Sequence, residues 1–363
     1  MHRITRTLRC GRLPWGGLFA AVLIGVLAAR APAQEHPEPA GTPLPPGSRV
    51  LTPWSESERA VWLADLPRGR ACIMLTGYWP PTNEMLRPFS PNPAQNPTGW
   101  IGENWEDRGY NVYAFFPEFP HGLGKGEGDF EVDYQDTLAD FRDIVELLHP
   151  VAINTYGRAF ANNDWRIEWR LRNLPYAGWY DDYLAPTRPT PVPPDGTVPA
   201  NHVRYASLPV DAIATAVNGA GLGIHAWVNT NGDAGAFLCE YVGYHAAWYR
   251  DQHITPPDPF RAIAGGHIHV GSLVDASRGF QAVQVTVRTL IAYLDAQRTL
   301  RGDLNCDGAV NFDDINAFVL RLSDPEQYAL TYGGCPDANG DASGDGMVNF
   351  SDINPFVALL SGD

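Results

Sequence analysis

One repeated pattern constrains the end of this chain more than any other feature. Phe312-Asp313-Asp314-Ile315-Asn316-Ala317-Phe318-Val319 recurs as Phe350-Ser351-Asp352-Ile353-Asn354-Pro355-Phe356-Val357. Each copy follows an oxygen-rich loop. Asp303, Asn305, Asp307, Asn311 and Asp314 occupy positions 1, 3, 5, 9 and 12 of the first, with Gly308 at 6. Asp341, Ser343, Asp345, Asn349 and Asp352 take the same positions in the second, with Gly346 at 6. Calcium takes six to eight hard oxygens and tolerates glycine where its loop turns sharply. The carbonyls of Ala309 and Met347 fall at position 7, so each loop offers a full ligand set and two Ca2+ ions are expected. Between residues 301 and 363 ten Asp and one Glu stand against two Arg, so this stretch carries −9 of the formal charge of −15. Acidity gathered there argues for a cation and against a nucleic-acid partner, which needs a basic face.

Ile315, Phe318, Val319 and Leu322 share one helix face, as do Ile353, Phe356, Val357 and Leu360, and two such faces can pack into one small core. A loop with one following helix, present twice, resembles the type I dockerin family over nearly all of 301–363. The resemblance implies a module that docks onto a cohesin-like protein partner. Loop positions 10 and 11 help choose that partner, and here they are Phe312-Asp313 and Phe350-Ser351 instead of the family's frequent Ser-Thr. Position 12 is Asp where an EF-hand loop has Glu. A tail serving only as a calcium-stapled cap is the alternative. Cys306 lies within the first loop and Cys335 just ahead of the second. They read as a disulfide tying the halves, or as two inert thiols; geometry decides between these.

At the other end, Arg3, Arg6, Arg9 and Arg12 precede a short apolar run, Leu18 to Ala29, and the small-residue site Ala31-Pro32-Ala33. This is the pattern of a cleaved signal peptide over 1–33, and the run is short for a membrane anchor. A secreted or cell-envelope location is expected, with no stable membrane span after cleavage. Residues 34–69 are read as a Pro-rich linker. Beyond it strands and helices alternate: strands at 71–75, 111–116, 151–154 and 223–228, helices at 134–148, 213–220, 237–248 and 281–300. Such alternation implies an α/β domain over 70–300, a mostly parallel sheet covered by helices on both sides. The all-α dockerin-like domain over 301–363 follows. Gly122 to Gly128 lacks the Lys-Ser/Thr ending of a phosphate loop and reads as a flexible loop.

Two stretches of this α/β region carry chemistry. Cys239 falls in the first turn of a helix beginning near Phe237, where the helix dipole favours a thiolate; a buried small hydrophobe is the plainer reading. Gly265-Gly266-His267-Ile268-His269-Val270 is a strand, so His267 and His269 share a face. A metal pair is one reading, but the sequence supplies no evident third ligand; a general base for Cys239 is the other.

Ser207-Leu208-Pro209-Val210, Asp233-Ala234-Gly235-Ala236-Phe237-Leu238-Cys239 and Gly266-His267-Ile268-His269-Val270 resemble, in order, the signatures of the pyrrolidone-carboxylate (pyroglutamyl) peptidases. Leu75-Thr76-Gly77-Tyr78 matches that family's Thr-Gly-Phe, and Glu168-Trp169-Arg170-Leu171-Arg172-Asn173 keeps its Glu and Asn spacing. The resemblance implies Cys239 as nucleophile, His269 as base and Glu168 as the group that orients the imidazole. No cofactor is implied for this catalysis, and the substrate is a peptide bearing an N-terminal pyroglutamyl or related acyl group. Read without the resemblance, Glu168 is a surface charge in the run Arg166 to Arg170. The family's ring-enclosing Phe-x-Pro-Phe-Gly-Gly is Tyr78-Trp79-Pro80-Pro81-Thr82-Asn83 here, so Tyr78, Trp79 and Phe89 are the candidate pocket residues. The Asn after the nucleophile is Glu240, an added carboxylate that opposes thiolate formation if it points inward. The expected protein is an exported cysteine peptidase or amidase with a calcium-dependent docking module. The competing expectation is a catalytically drifted binding protein held in an extracellular assembly by its tail.

Overall fold

Apolar runs rich in β-branched and aromatic residues, bounded by turn residues, form the buried strands of the sheet. In the computed structural model, residues 37–51, 54–67, 69–333 and 335–361 are described. The expected signal peptide, 1–33, lies outside them. The central sheet is built from β1 (Ala71–Thr76), β2 (Tyr110–Phe115), β3 (Ala152–Ala159), β4 (Asp164–Glu168), β7 (His225–Asn229) and β8 (Ala264–Gly271). Their order is β2-β1-β3-β8-β4-β7. Every neighbouring pair is parallel except β4 and β8, which run antiparallel. β5 (Arg170–Arg172) and β6 (Val203–Tyr205) form a separate antiparallel ribbon.

Side chains alternate across the sheet as the strand period requires. Ile73 and Leu75 face one core with residues of α4 (Val210–Gly219) and α6 (Ala276–Arg298), among them Ile213, Val217, Val287 and Leu290. Cys72 and Met74 face the other, packed with Phe141 and Ile144 of α3 (Tyr134–Leu148) and Val242 of α5 (Leu238–His253). The α/β class expected from the sequence is therefore present, with helices on both faces. The edge strand β2 is buried at every position. Residues 100–102 cover its outer side, Trp100 Nε1 donating to Val112 O at 2.9 Å and Gly102 O accepting from Val112 N at 2.8 Å. That removes the open edge that would invite a second strand.

The stretch expected as linker lies against the body. α1 (Glu56–Ala64) opens with a capping box between Ser55 and Glu58. Arg59 pairs with Asp129 and Asp140, Gly41 N donates to Leu123 O at 2.7 Å, and Leu44, Trp62 and Leu63 pack on the second core. The Pro content set the linker reading; these apolar anchors and Arg59 hold the segment down.

The C-terminal segment folds as α7 (Asp314–Ser323), the short α8 (Pro325–Thr331) and α9 (Ile353–Ser361). Phe318 and Phe356 stack with ring centroids 4.2 Å apart, among Leu304, Ala317, Tyr328 and Ala342. The expectation that the two helix faces close on each other needs correcting. Only the Phe318 and Phe356 edge is buried, while Ile315, Val319, Ile353 and Val357 stay exposed. Part of the segment is spent on the body instead. Ala71 N donates to Gly333 O at 2.8 Å, Asp258 N to Asp307 O at 3.2 Å, and Asn339 Nδ2 to Arg298 O at 3.0 Å. Cys306 and Cys335 form a disulfide. Among the described residues no helix is long and apolar enough to cross a membrane.

Candidate active site

β3 and β8 lie at the middle of the sheet and pair over eight residues, with Thr155 opposite His267 and Gly157 opposite His269. On its other side β8 meets β4, where Glu168 stands opposite His267 and Arg166 opposite His269. These registers gather two imidazoles and a carboxylate on one face. Glu168, His267 and His269 are fully inaccessible to solvent. Glu168 Oε1 lies 2.7 Å from His269 Nδ1 and accepts from Arg166 Nε at 2.5 Å. Glu168 Oε2 accepts from Asn229 Nδ2 at 2.7 Å. An ionised carboxylate at this distance requires the proton on Nδ1 and so turns the Nε2 lone pair of His269 away from Glu168. Arg166 Nη2 is also 3.0 Å from His269 Nδ1; a guanidinium can only donate, so this contact competes with Glu168 for Nδ1, and the shorter carboxylate contact is the one that sets the tautomer.

His267 is fixed in the same sense. Its Nδ1 is 2.8 Å from Thr155 Oγ1, and that hydroxyl donates to Gly266 O at 3.1 Å. With its proton committed to the carbonyl, Thr155 accepts from His267 Nδ1–H and leaves Nε2 as a lone pair. Burial, reinforced by the charges of His269 and Arg166, holds the His267 pKa well below the ordinary imidazole value. His267 is therefore neutral across the physiological range.

Cys239 enters from α5, as the second residue of that helix. No side chain caps this end of the helix, so backbone N–H groups of the first turn, which lack intrahelical acceptors, face the sulfur's surroundings. Cys239 is 6% exposed. Its Sγ and one ring nitrogen from each of His267 and His269 lie within 4.8 Å of one another. The three residues expected to act together, Cys239, His269 and Glu168, are thus neighbours, drawn from α5, β8 and β4.

Glu240 points inward, onto Arg172. It is fully buried, its Oε1 accepts the backbone N–H of Arg172, and Oε2 has no hydrogen-bond partner among the described residues. Burial pushes its pKa well above the ordinary carboxyl range, with the Arg172 charge opposing. Its Oε1 also lies 3.6 Å from Arg172 Nε, so burial and the Arg172 contact both work against a free anion beside the thiol. Arg172 in turn donates to Gly235 O at 2.7 Å and pairs with Asp233 at 2.8 Å, pinning the loop that delivers Cys239. Asn229 pins it from the other side, accepting from Gly232 N at 2.9 Å.

The pocket residues separate. Tyr78 and Trp79 are buried in the core on the Cys239 side, Trp79 stacking on Phe237 with centroids 6.2 Å apart. Phe89 packs with Trp105 and Phe280 in the core on the opposite face of the sheet. Its place as a replacement pocket wall is corrected: the short turn at 87–89 directs it into the α6 side. Sequence reasoning missed Arg166, Asn229, Thr155 and Arg172. A signal for Arg166 existed, since two residues apart on a strand it shares the face of Glu168.

The tail loops repeat one geometry. Asp314 accepts from Leu304 N at 2.8 Å and Asn305 N at 3.1 Å through Oδ1, and from Asn311 N at 2.9 Å through Oδ2. Asp352 likewise accepts from Ser343 N at 2.9 Å and Asn349 N at 2.8 Å. In the first loop Asp303, Asp307 and Asp314 are all buried, and Asp303 Oδ1 is buried with no hydrogen-bond partner among the described residues. Burial, then the neighbouring Asp314 charge, pushes the Asp303 pKa up to about 7. Converging buried carboxylates with an unsatisfied oxygen fit a hard divalent cation.

No known family profile and no curated protein matches the chain. Solved structures do. Pyrrolidone carboxyl peptidase from the hyperthermophile Pyrococcus furiosus is similar at 18% identity, covering 61% of this chain and 99% of that one, with a TM-score of 0.44. Pyroglutamyl peptidase I from Bacillus amyloliquefaciens matches at 18% identity over 61% of this chain and 97% of its own, TM-score 0.40. Pyrrolidone carboxyl peptidase from Thermococcus litoralis gives 16% identity, 62% and 96% coverage, and TM-score 0.42.

Proposed function

We propose that this chain is a cysteine peptidase or amidase that removes an N-terminal acyl group, pyroglutamate foremost, from peptides. The observation that carries the reading is the grouping of Glu168, His269 and Cys239: a buried carboxylate 2.7 Å from Nδ1 of an imidazole, and a ring nitrogen of that imidazole within 4.8 Å of a first-turn thiol. Glu168 fixes the tautomer, and Asn229 and Arg166 fix Glu168. His269 Nε2 takes the thiol proton, and Sγ attacks the acyl carbonyl. First-turn N–H groups of α5 receive the developing oxyanion. The tetrahedral adduct collapses to a thioester, and the departing amine takes its proton from His269. Water, deprotonated at the same Nε2, then cleaves the thioester and frees Cys239.

The C-terminal segment, in this reading, is a dockerin-like module of an exported protein. Asp303, Asn305, Asp307, Asn311 and Asp314 hold one Ca2+ and Asp341, Ser343, Asp345, Asn349 and Asp352 a second, with the position-7 carbonyls of Ala309 and Met347. Support for a cohesin-like partner comes from exposed apolar residues that recur in the repeat: Phe312 with Phe350, Ile315 with Ile353, Val319 with Val357.

A second reading, a binding protein that has lost catalysis, is favoured by one observation: both imidazoles are inaccessible and the thiol nearly so. Hydrolysis of a pyroglutamyl-fluorophore amide separates the two. Turnover by the wild type that disappears in Cys239→Ala is expected. No turnover, together with a Cys239 inert to thiol probes, overturns the peptidase.

A further inference from the structure

We propose that Cys239, His267 and His269 form a binding site for a divalent transition metal of the zinc type, and that an ion bound there arrests the thiol chemistry. The site itself rests on geometry alone; only its effect on turnover depends on the peptidase reading.

Three donor atoms, one from each residue, lie within 4.8 Å of one another and all three residues are buried. Tetrahedral zinc with about 2.3 Å to sulfur and about 2.0–2.1 Å to nitrogen sets its donors roughly 3.4–3.6 Å apart, so closure by about an ångström completes the set. Both imidazoles are prepared for ligation in the way metal-bound histidines are, each with Nδ1–H donated to an oxygen. His269 gives its proton to Glu168 at 2.7 Å and His267 gives its proton to Thr155 at 2.8 Å. On each ring Nε2 is then the nitrogen that can ligate. His267 Nε2 is buried and has no hydrogen-bond partner among the described residues, and the peptidase mechanism assigns it no task.

Gly157 defines where that nitrogen points. A Cβ added there would sit 2.3 Å from Cys239 Sγ and 3.0 Å from His267 Nε2. Sulfur and nitrogen therefore converge on one spot that glycine keeps clear. A thiolate with two neutral imidazoles selects zinc-like ions over the hard calcium and magnesium. Three protein ligands leave a fourth position for water or a substrate atom. On binding, the Cys239 proton leaves to solvent, the S–H bond is replaced by a sulfur–metal bond, and the metal takes the His269 Nε2 lone pair. Those are the electron pairs that attack and proton transfer need, so the ion and the thiol reaction exclude each other.

The test is anaerobic titration of the full chain with Co2+, with calcium in excess to occupy the tail carboxylates. One equivalent should produce a thiolate-to-cobalt charge-transfer band, which zinc displaces. The band should vanish in Cys239→Ala and need at least about tenfold more cobalt in His267→Phe; His267→Leu is the second variant should the first fail to fold. Absence of the band in the wild type, or equal cobalt affinity in a folded His267 variant, overturns the site. Pyroglutamyl-fluorophore hydrolysis by the same samples should be lost with stoichiometric zinc in the wild type and retained in the His267 variant. Unchanged hydrolysis with the band present overturns the arrest and leaves the ion site standing. A preparation with the band but no turnover under any condition removes the peptidase reading instead.

Discussion

Replacing Gly157 by alanine is the smallest change that reaches the centre of this site. The added Cβ would lie 2.3 Å from Cys239 Sγ and 3.0 Å from His267 Nε2. Non-bonded heavy atoms rest near 3.5–4.0 Å, so something must move by more than about 1 Å. The strand has little room to retreat, because β3 pairs with β8 through Gly157 itself and with β1 up to Thr155. The sulfur can move, by rotation of Cys239 about χ1. Overpacking of this kind costs about 1–3 kcal/mol, while a 1 Å misplacement of a reacting atom costs about 100-fold in rate. Gly157→Ala should therefore fold, lose stability within that range by urea unfolding, and lose at least about 100-fold in kcat/KM on a pyroglutamyl-fluorophore amide. A folded Gly157→Ala with wild-type kcat/KM would show that Cys239 Sγ is not the reacting atom at this position.

Three further outcomes follow from the same geometry. Glu240 has its folded pKa raised by burial above the unfolded value of 4.5. The wild type therefore loses stability as pH climbs from there toward the folded pKa, by up to about 1.4 kcal/mol per pH unit. Glu240→Gln cannot ionise, so its stability advantage should widen as pH rises above about 5; an advantage that is the same at about pH 5 and at neutrality in urea unfolding would contradict this. Removing the Cys306–Cys335 bridge, which spans 29 residues, should cost about 3.6 kcal/mol on the loop-entropy model. Unchanged thermal unfolding of the double alanine variant would refute it. Saturating calcium should raise the unfolding temperature, each site adding about 2.7 kcal/mol at a hundredfold excess over Kd, and Asp303→Ala should lose part of that gain; calorimetry without a calcium-dependent shift would remove the ions from the account.

Periodicity made the strands and helices around the site readable, because burial on two faces leaves near-continuous apolar runs such as 71–75 and 111–116. What it did not reveal was β4. Asp164 to Glu168 carries three charged side chains in five residues and reads as surface, yet it enters the sheet between β8 and β7, antiparallel to the first and parallel to the second. Burial there is possible because Arg166 and Glu168, two residues apart on one face, pair with each other; the spacing is legible, but only the packed sheet shows that the pair is covered. The effect of Glu240 on the thiol was not legible for a related reason. Sequence gives the residue type, whereas the protonation state depends on desolvation that only the packed fold supplies. The helix faces of the tail were legible as amphipathic, but which half of each stripe is covered depends on how Phe318 and Phe356 pack with Leu304, Tyr328 and Ala342, residues outside both helices.

The proposed chemistry needs a sulfur made reactive by an imidazole that Glu168 holds in one tautomer. The pH dependence of Cys239 alkylation by iodoacetamide, read by mass spectrometry, measures that directly in the wild type, His269→Ala and Glu168→Gln. The wild type should be labelled at least about tenfold faster than either variant near neutrality, below the ordinary thiol range near 8.5. Coincident rate profiles for all three proteins would contradict it.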